Sequence, residues 1–134
     1  MTEQPETLEI RSGQHLVFVR QAVRAKAEQL KLRLVDQTRI VTAASELARN
    51  TLEHGGGGMV TIQIVENGTH RGLRLKFEDK GPGIADIDLA MKEGYSTGTG
   101  LGLGLSGSKR LVNEFQISSR VGEGTEVTVI KWKS

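Results

Sequence analysis

Hydrophobic residues recur every three or four positions up to residue 54 and every second position from residue 60, and four consecutive glycines, Gly55–Gly58, stand at the change. A period near 3.6 marks an amphipathic helix and a period of two a half-buried strand. Neither surface can bury its apolar side alone, so the chain is committed to helices that cover a sheet. In the first half, Leu16, Val19, Val23, Ala27 and Leu30 predict a helix from Gln14 to about Leu32, after a short strand over 7–11. A second helix carries Ile40, Ala44, Leu47 and Thr51. Asp36 is its expected N-cap, Val35 and Ile40 form a hydrophobic staple, and Gly55 is the stop after His54.

Beyond the glycines, Val60, Ile62 and Ile64 alternate with Thr61 and Gln63, and Leu73, Leu75 and Phe77 alternate with Arg74 and Lys76. Asn67-Gly68 marks the turn between these strands. Asp79-Lys80-Gly81-Pro82-Gly83 ends the second one, and a short helix is expected from Asp86 to about Glu93. A further helix is predicted from about Leu103 to Phe115, then strands near 116–120 and 125–132 joined by Val121-Gly122-Glu123-Gly124. The expected fold is an α+β two-layer sandwich, its helices packed on one face of a mixed, mostly antiparallel sheet. With 134 residues and no repeat or linker, residues 1–134 read as one domain.

Composition narrows the function. A net charge of +2 without a basic run gives no footprint for nucleic acid. No apolar run approaches the roughly 20 residues that span a bilayer. The first ten residues lack the basic and apolar regions of a signal peptide, and the absence of cysteine suits the cytosol. His15, His54 and His70 are too far apart for metal-ligand spacing. A cytoplasmic protein with no direct contact to nucleic acid or membrane is expected.

Three places break the hydrophobic pattern. Glu46 and Asn50, four residues apart, sit together at the edge of the second helix's apolar stripe, where they can reach a pocket or simply meet solvent. Asp79 continues the count of Leu73, Leu75 and Phe77 onto the apolar face, where a carboxylate needs donors. It can start a turn there, or accept from an amino-bearing ring such as adenine. Third, Gly98-Thr99-Gly100-Leu101-Gly102-Leu103-Gly104 runs into a helix, and alternate glycines before a helix suit phosphate. Gly102, Gly104 and Gly107 spell GxGxxG, but no apolar strand precedes them, so the dinucleotide fingerprint fails its context. There is no GxxxxGK[ST], and no VAIK or HRD of a eukaryotic-type protein kinase.

In order, ELARN (46–50), DKGPGI (79–84), GTGLGLGL (98–105) and GEGT (122–125) resemble the Bergerat-fold (GHKL) ATPases and kinases across nearly the whole chain. Within that superfamily the chain is most similar to the RsbT-type switch serine/threonine-protein kinases of the stressosome, with RsbW-like anti-sigma-factor kinases as near relatives. The resemblance implies ATP and Mg²⁺. It implies that Asn50 coordinates the metal, that Asp79 accepts from the adenine amino group, and that Gly81 and Gly83 make room for the ring. It further implies a phosphate lid made by Gly98 to Gly104, with Gly100, Leu101, Gly102, Leu103 and Gly104 offering N–H groups. Thr125 supports the base and Glu46 orients or deprotonates the attacking hydroxyl. The implied partners are STAS-domain antagonist or scaffold proteins and a PP2C-type phosphatase. The alternatives are an anti-sigma factor that sequesters a sigma factor, and a nucleotide-dependent binding module without catalysis. No phosphoacceptor histidine precedes the ATP motifs and no transducer domain follows, so two-component kinases and gyrase-like or MutL-like machines are not expected. The Gly55–Gly58 run has no role in this scheme beyond a connection.

Overall fold

The computed structural model describes residues 4–91 and 104–133. In chain order the elements are β1 (Glu6–Ile10), α1 (Gly13–Gln29), α2 (Leu34–Glu53), β2 (Gly58–Asn67), β3 (His70–Asp79), α3 (Ile87–Ala90), α4 (Gly104–Arg110), β4 (Glu114–Arg120) and β5 (Gly124–Trp132). The strands lie in the order β1-β2-β3-β5-β4. Every pairing among the described residues is antiparallel, a simpler sheet than the mixed one expected.

The period-two pattern sets which face is covered. Val60, Ile62, Ile64, Leu73, Leu75, Phe77, Val127 and Val129 are buried on one side of the sheet. Val19, Val23 and Ala27 of α1 and Ile40, Ala44, Leu47 and Ala48 of α2 complete that core. Each large side chain removed from water contributes roughly 1.5–3 kcal/mol, which holds the helix layer on the sheet. The other face carries polar residues such as Lys76, whose Nζ lies 3.8 Å from Glu78 and 3.7 Å from Glu126.

Helix ends depart from expectation. Arg33, not Asp36, is the N-cap of α2, and Val35 is 48% exposed, so no staple forms with Ile40. Asp36 instead lies buried in the first turn, where the helix dipole favours a carboxylate. It faces Lys131 of β5 at 3.3 Å, Arg33 at 3.3 Å and Arg39 at 3.4 Å. Burial alone would raise its pKa, but the hydrogen bond and charge of Lys131, then of Arg33, hold it below the usual carboxylate value. Lys131 is opposite Leu73 on the helix-facing row, so this ion cluster pins the start of α2 to the sheet.

Asp86 caps α3, accepting the Leu89 N–H at 3.0 Å, and that helix ends at Ala90 rather than near Glu93, which is outside the described residues. The last helix stops at Arg110, and Phe115 belongs to β4. Asn113 is the reason: its N–H donates to the Ile130 carbonyl at 3.0 Å, and its side-chain oxygen accepts the Trp132 N–H at 2.7 Å. The ladder with β5 thus starts before the apolar positions that looked helical.

Candidate active site

At one end of the sheet, α2, β3, β5, the 80–86 loop, α3 and the start of α4 surround a cavity of about 420 Å³. On α2, Leu47 and Thr51 are buried and Glu46 and Asn50 half-buried, and all four line the cavity. With a rise of 1.5 Å per residue, they stand about 6 Å apart along the helix axis. Asp79, last residue of β3, also lines it, as the alternation predicted. Its neighbours across the ladders are Gly58 on β2 and Thr125 on β5. Ile84, Leu89 and Leu105 add apolar wall.

The glycine run at the end of α2 has a steric cause. A Cβ on Gly55 would lie 2.3 Å from Cγ of Asp79, and one on Gly58 would lie 1.9 Å from the Glu78 carbonyl oxygen. The helix end therefore lies directly against the strand end, and only a bare backbone fits. Gly81 does not line the cavity. It packs behind Asp79, donating its N–H to Oδ1 at 2.9 Å, and a Cβ there would lie 2.7 Å from the Gly55 backbone.

The loop after Asp79 is fastened to the β4–β5 hairpin. Gly83 has φ +79, a conformation L side chains rarely adopt, and its missing Cβ would lie 2.2 Å from the Arg120 carbonyl oxygen. The Gly122 N–H donates to the Pro82 carbonyl at 2.8 Å, and the Ile84 N–H to Ser119 Oγ at 2.7 Å. Ser119 is opposite Thr125, their hydroxyl oxygens 2.7 Å apart.

Of the residues singled out from the sequence, Glu46, Asn50, Asp79, Gly83, Gly104 and Thr125 share this cavity. Gly104 opens α4 with φ +58. Gly98, Thr99, Gly100, Leu101, Gly102 and Leu103 lie outside the described residues. Sequence reasoning missed Gly55 and Ser119. The glycine run was a visible signal for the first; the second needed the hairpin register.

Residues 35–134 match the family described as histidine kinase-, DNA gyrase B-, and HSP90-like ATPase. The chain belongs to this family. It is 49% identical over 117 residues to the serine/threonine-protein kinase RsbT of Bacillus subtilis, covering 87% of this chain and 88% of that one. It is also 33% identical over 128 residues to the anti-sigma F factor of Clostridium kluyveri, covering 91% of this chain and 89% of that protein. Among solved structures, the RsbU and RsbW domains of a Mycobacterium tuberculosis protein superpose with a TM-score of 0.67 at 22% identity, over 98% of this chain and 34% of that one. The catalytic domain of the histidine kinase ThkA gives 0.54 at 20% identity over 96% of both. These likenesses agree on the fold, an ATPase-family α+β sandwich. No helix among the described residues is long and apolar enough to cross a membrane.

Proposed function

We propose that the chain is an ATP-dependent serine/threonine-protein kinase of a bacterial partner-switching module. It phosphorylates a Ser or Thr of STAS-domain antagonist or scaffold proteins, and engages a PP2C-type phosphatase once released. The observation that carries this reading is the convergence of Glu46, Asn50, Asp79 and Thr125 on one cavity, together with 49% identity to RsbT over most of both chains.

The roles follow from chemistry. Asp79, braced by the Gly81 N–H, offers its carboxylate to the adenine amino group, and Thr125 adds a hydroxyl beside it. Gly104, at the start of α4, joins the phosphate side with the glycine ladder before it. Asn50 offers a hard carbonyl oxygen. Among the described residues no cluster of three His, Cys, Asp or Glu can chelate a metal unaided. That donor set fits Mg²⁺, which keeps waters and takes its other ligands from phosphates. When bound, the ion neutralises charge on the transferring phosphoryl group. Glu46, one turn away on the same helix, aligns the incoming hydroxyl and takes its proton. Positioning and charge stabilisation supply most of the rate, and such a base adds about 10²–10⁴.

The test is transfer of the labelled γ-phosphate of ATP to a Ser or Thr of a STAS-domain partner. Tight ATP binding with no labelled partner would leave a nucleotide-dependent binding module instead. The 33% identity to an anti-sigma F factor supports a second reading, a kinase that also sequesters a sigma factor. Stable capture of a purified sigma factor in the presence of ATP would favour it.

A further inference from the structure

Ser119 stands on the helix-facing row of an edge strand, and its hydroxyl is fully engaged. It accepts the Ile84 N–H at 2.7 Å and donates to the Gly124 carbonyl at 3.0 Å. A serine hydroxyl has a single proton. With that proton on Gly124, the 2.7 Å contact between Ser119 Oγ and Thr125 Oγ1 carries the proton of Thr125. Thr125, which lines the cavity with its cross-strand neighbour Asp79, then has only lone pairs left to offer a ligand.

We infer that Ser119 is a positioning residue that sets base selectivity: it locks Thr125 as an acceptor and, through Ile84, holds the 80–84 loop on the β4–β5 hairpin. Two acceptors side by side take a base edge that donates from an amino group and disfavour one bearing a carbonyl at that place. Without Ser119, the Thr125 hydroxyl turns freely and can donate, so the carbonyl becomes tolerable. This inference rests on the cavity being the ATP site proposed above.

Inosine triphosphate carries a carbonyl where ATP carries its amino group, so the pair reads the polarity of this corner. Dissociation constants for both are measured by calorimetry with wild type, S119A, S119C and S119T, each checked by thermal melting. S119A and S119C are expected to lower the preference for ATP about three- to tenfold, the worth of one neutral hydrogen bond, and S119T to restore it. The near-isosteric S119C, a weak hydrogen-bonding thiol, serves if S119A does not fold. Equal weakening of both nucleotides, with the ratio unchanged, overturns the inference and leaves Ser119 a brace. A wild-type protein with no preference for ATP overturns the underlying site reading, and shows it before any substitution is made.

Discussion

Replacing Gly55 with alanine inserts one methyl group between the end of α2 and the carboxylate assigned to the base. The new Cβ would lie 2.3 Å from Cγ, 2.5 Å from Cβ and 2.6 Å from Oδ2 of Asp79. Relaxed carbon contacts need about 3.5–4.0 Å, so the side chain must retreat by more than roughly 1 Å. Rotation of Asp79 cannot clear the clash because its own Cβ is among the crowded atoms. The end of β3 must shift, and with it the 2.9 Å bond from the Gly81 N–H. The carboxylate then leaves its place opposite the adenine amino group, and the hydrogen bond proposed there is lost. A hydrogen bond to a charged group is worth about 1.5–3 kcal/mol, so ATP affinity should fall about 10- to 150-fold. Overpacking at one site costs the fold about 1–3 kcal/mol, a separate quantity read by urea denaturation. G56A is the control: Gly56 has φ +74 but nothing within 4 Å of an added Cβ, so backbone strain comes without pressure on Asp79. Calorimetric titration with ATP should separate the two variants. A folded G55A that binds ATP like wild type, or a G56A equally weakened, would refute the reasoning.

Three further outcomes are expected. E46Q should keep ATP affinity within about twofold and slow phosphate transfer at least about 10²-fold in rapid-quench assays; transfer at wild-type speed would remove Glu46 from the chemistry. N50A should bind ATP equally with and without Mg²⁺, and a surviving magnesium dependence in titrations would place the ion elsewhere. D36N leaves the buried Lys131 without its carboxylate and should cost about 3–5 kcal/mol near neutral pH. Because the folded pKa of Asp36 is lowered, its contribution is complete above the ordinary value of 3.8 and is lost as pH falls from there through the folded pKa. Urea melts should therefore show wild type and D36N converging below about pH 4, and a constant gap down to pH 3 would count against the ion cluster.

What the sequence disclosed and what it withheld divide along local and non-local physics. Alternation from Leu73 to Phe77 was enough to put Asp79 on the covered face, since strand parity depends on nothing distant. The helical count likewise placed Glu46 and Asn50 together at the rim of the apolar stripe. Asp36 was misplaced as a cap because its partner, Lys131, comes from the last strand, and no local pattern announces that pairing. Ser119 was invisible for a similar reason. The expected linker was Val121 to Gly124, but β5 begins at Gly124, leaving a three-residue loop with Gly122 at φ +82. One residue in a turn decides whether Ser119 or its neighbour faces Thr125.

The glycines carry the same lesson to the site. Gly55, Gly58, Gly81 and Gly124 come from three separate segments, yet a Cβ on any of them would strike backbone or side-chain atoms around residues 55 and 78–80. Gly124 shows it most directly, its absent Cβ 2.1 Å from the Asp79 carbonyl oxygen. The end of β3 is therefore a junction of backbones, with Asp79 held from three sides where it lines the cavity. An aspartate on a freely moving turn would lose rotamer and loop entropy on meeting a ligand. Here the folded chain has already met that cost, so a ligand that takes the proposed bond from Asp79 would find the side chain already held. The run at 55–58, which as bare sequence reads like a loose connection, is the part of the chain that makes this rigidity possible.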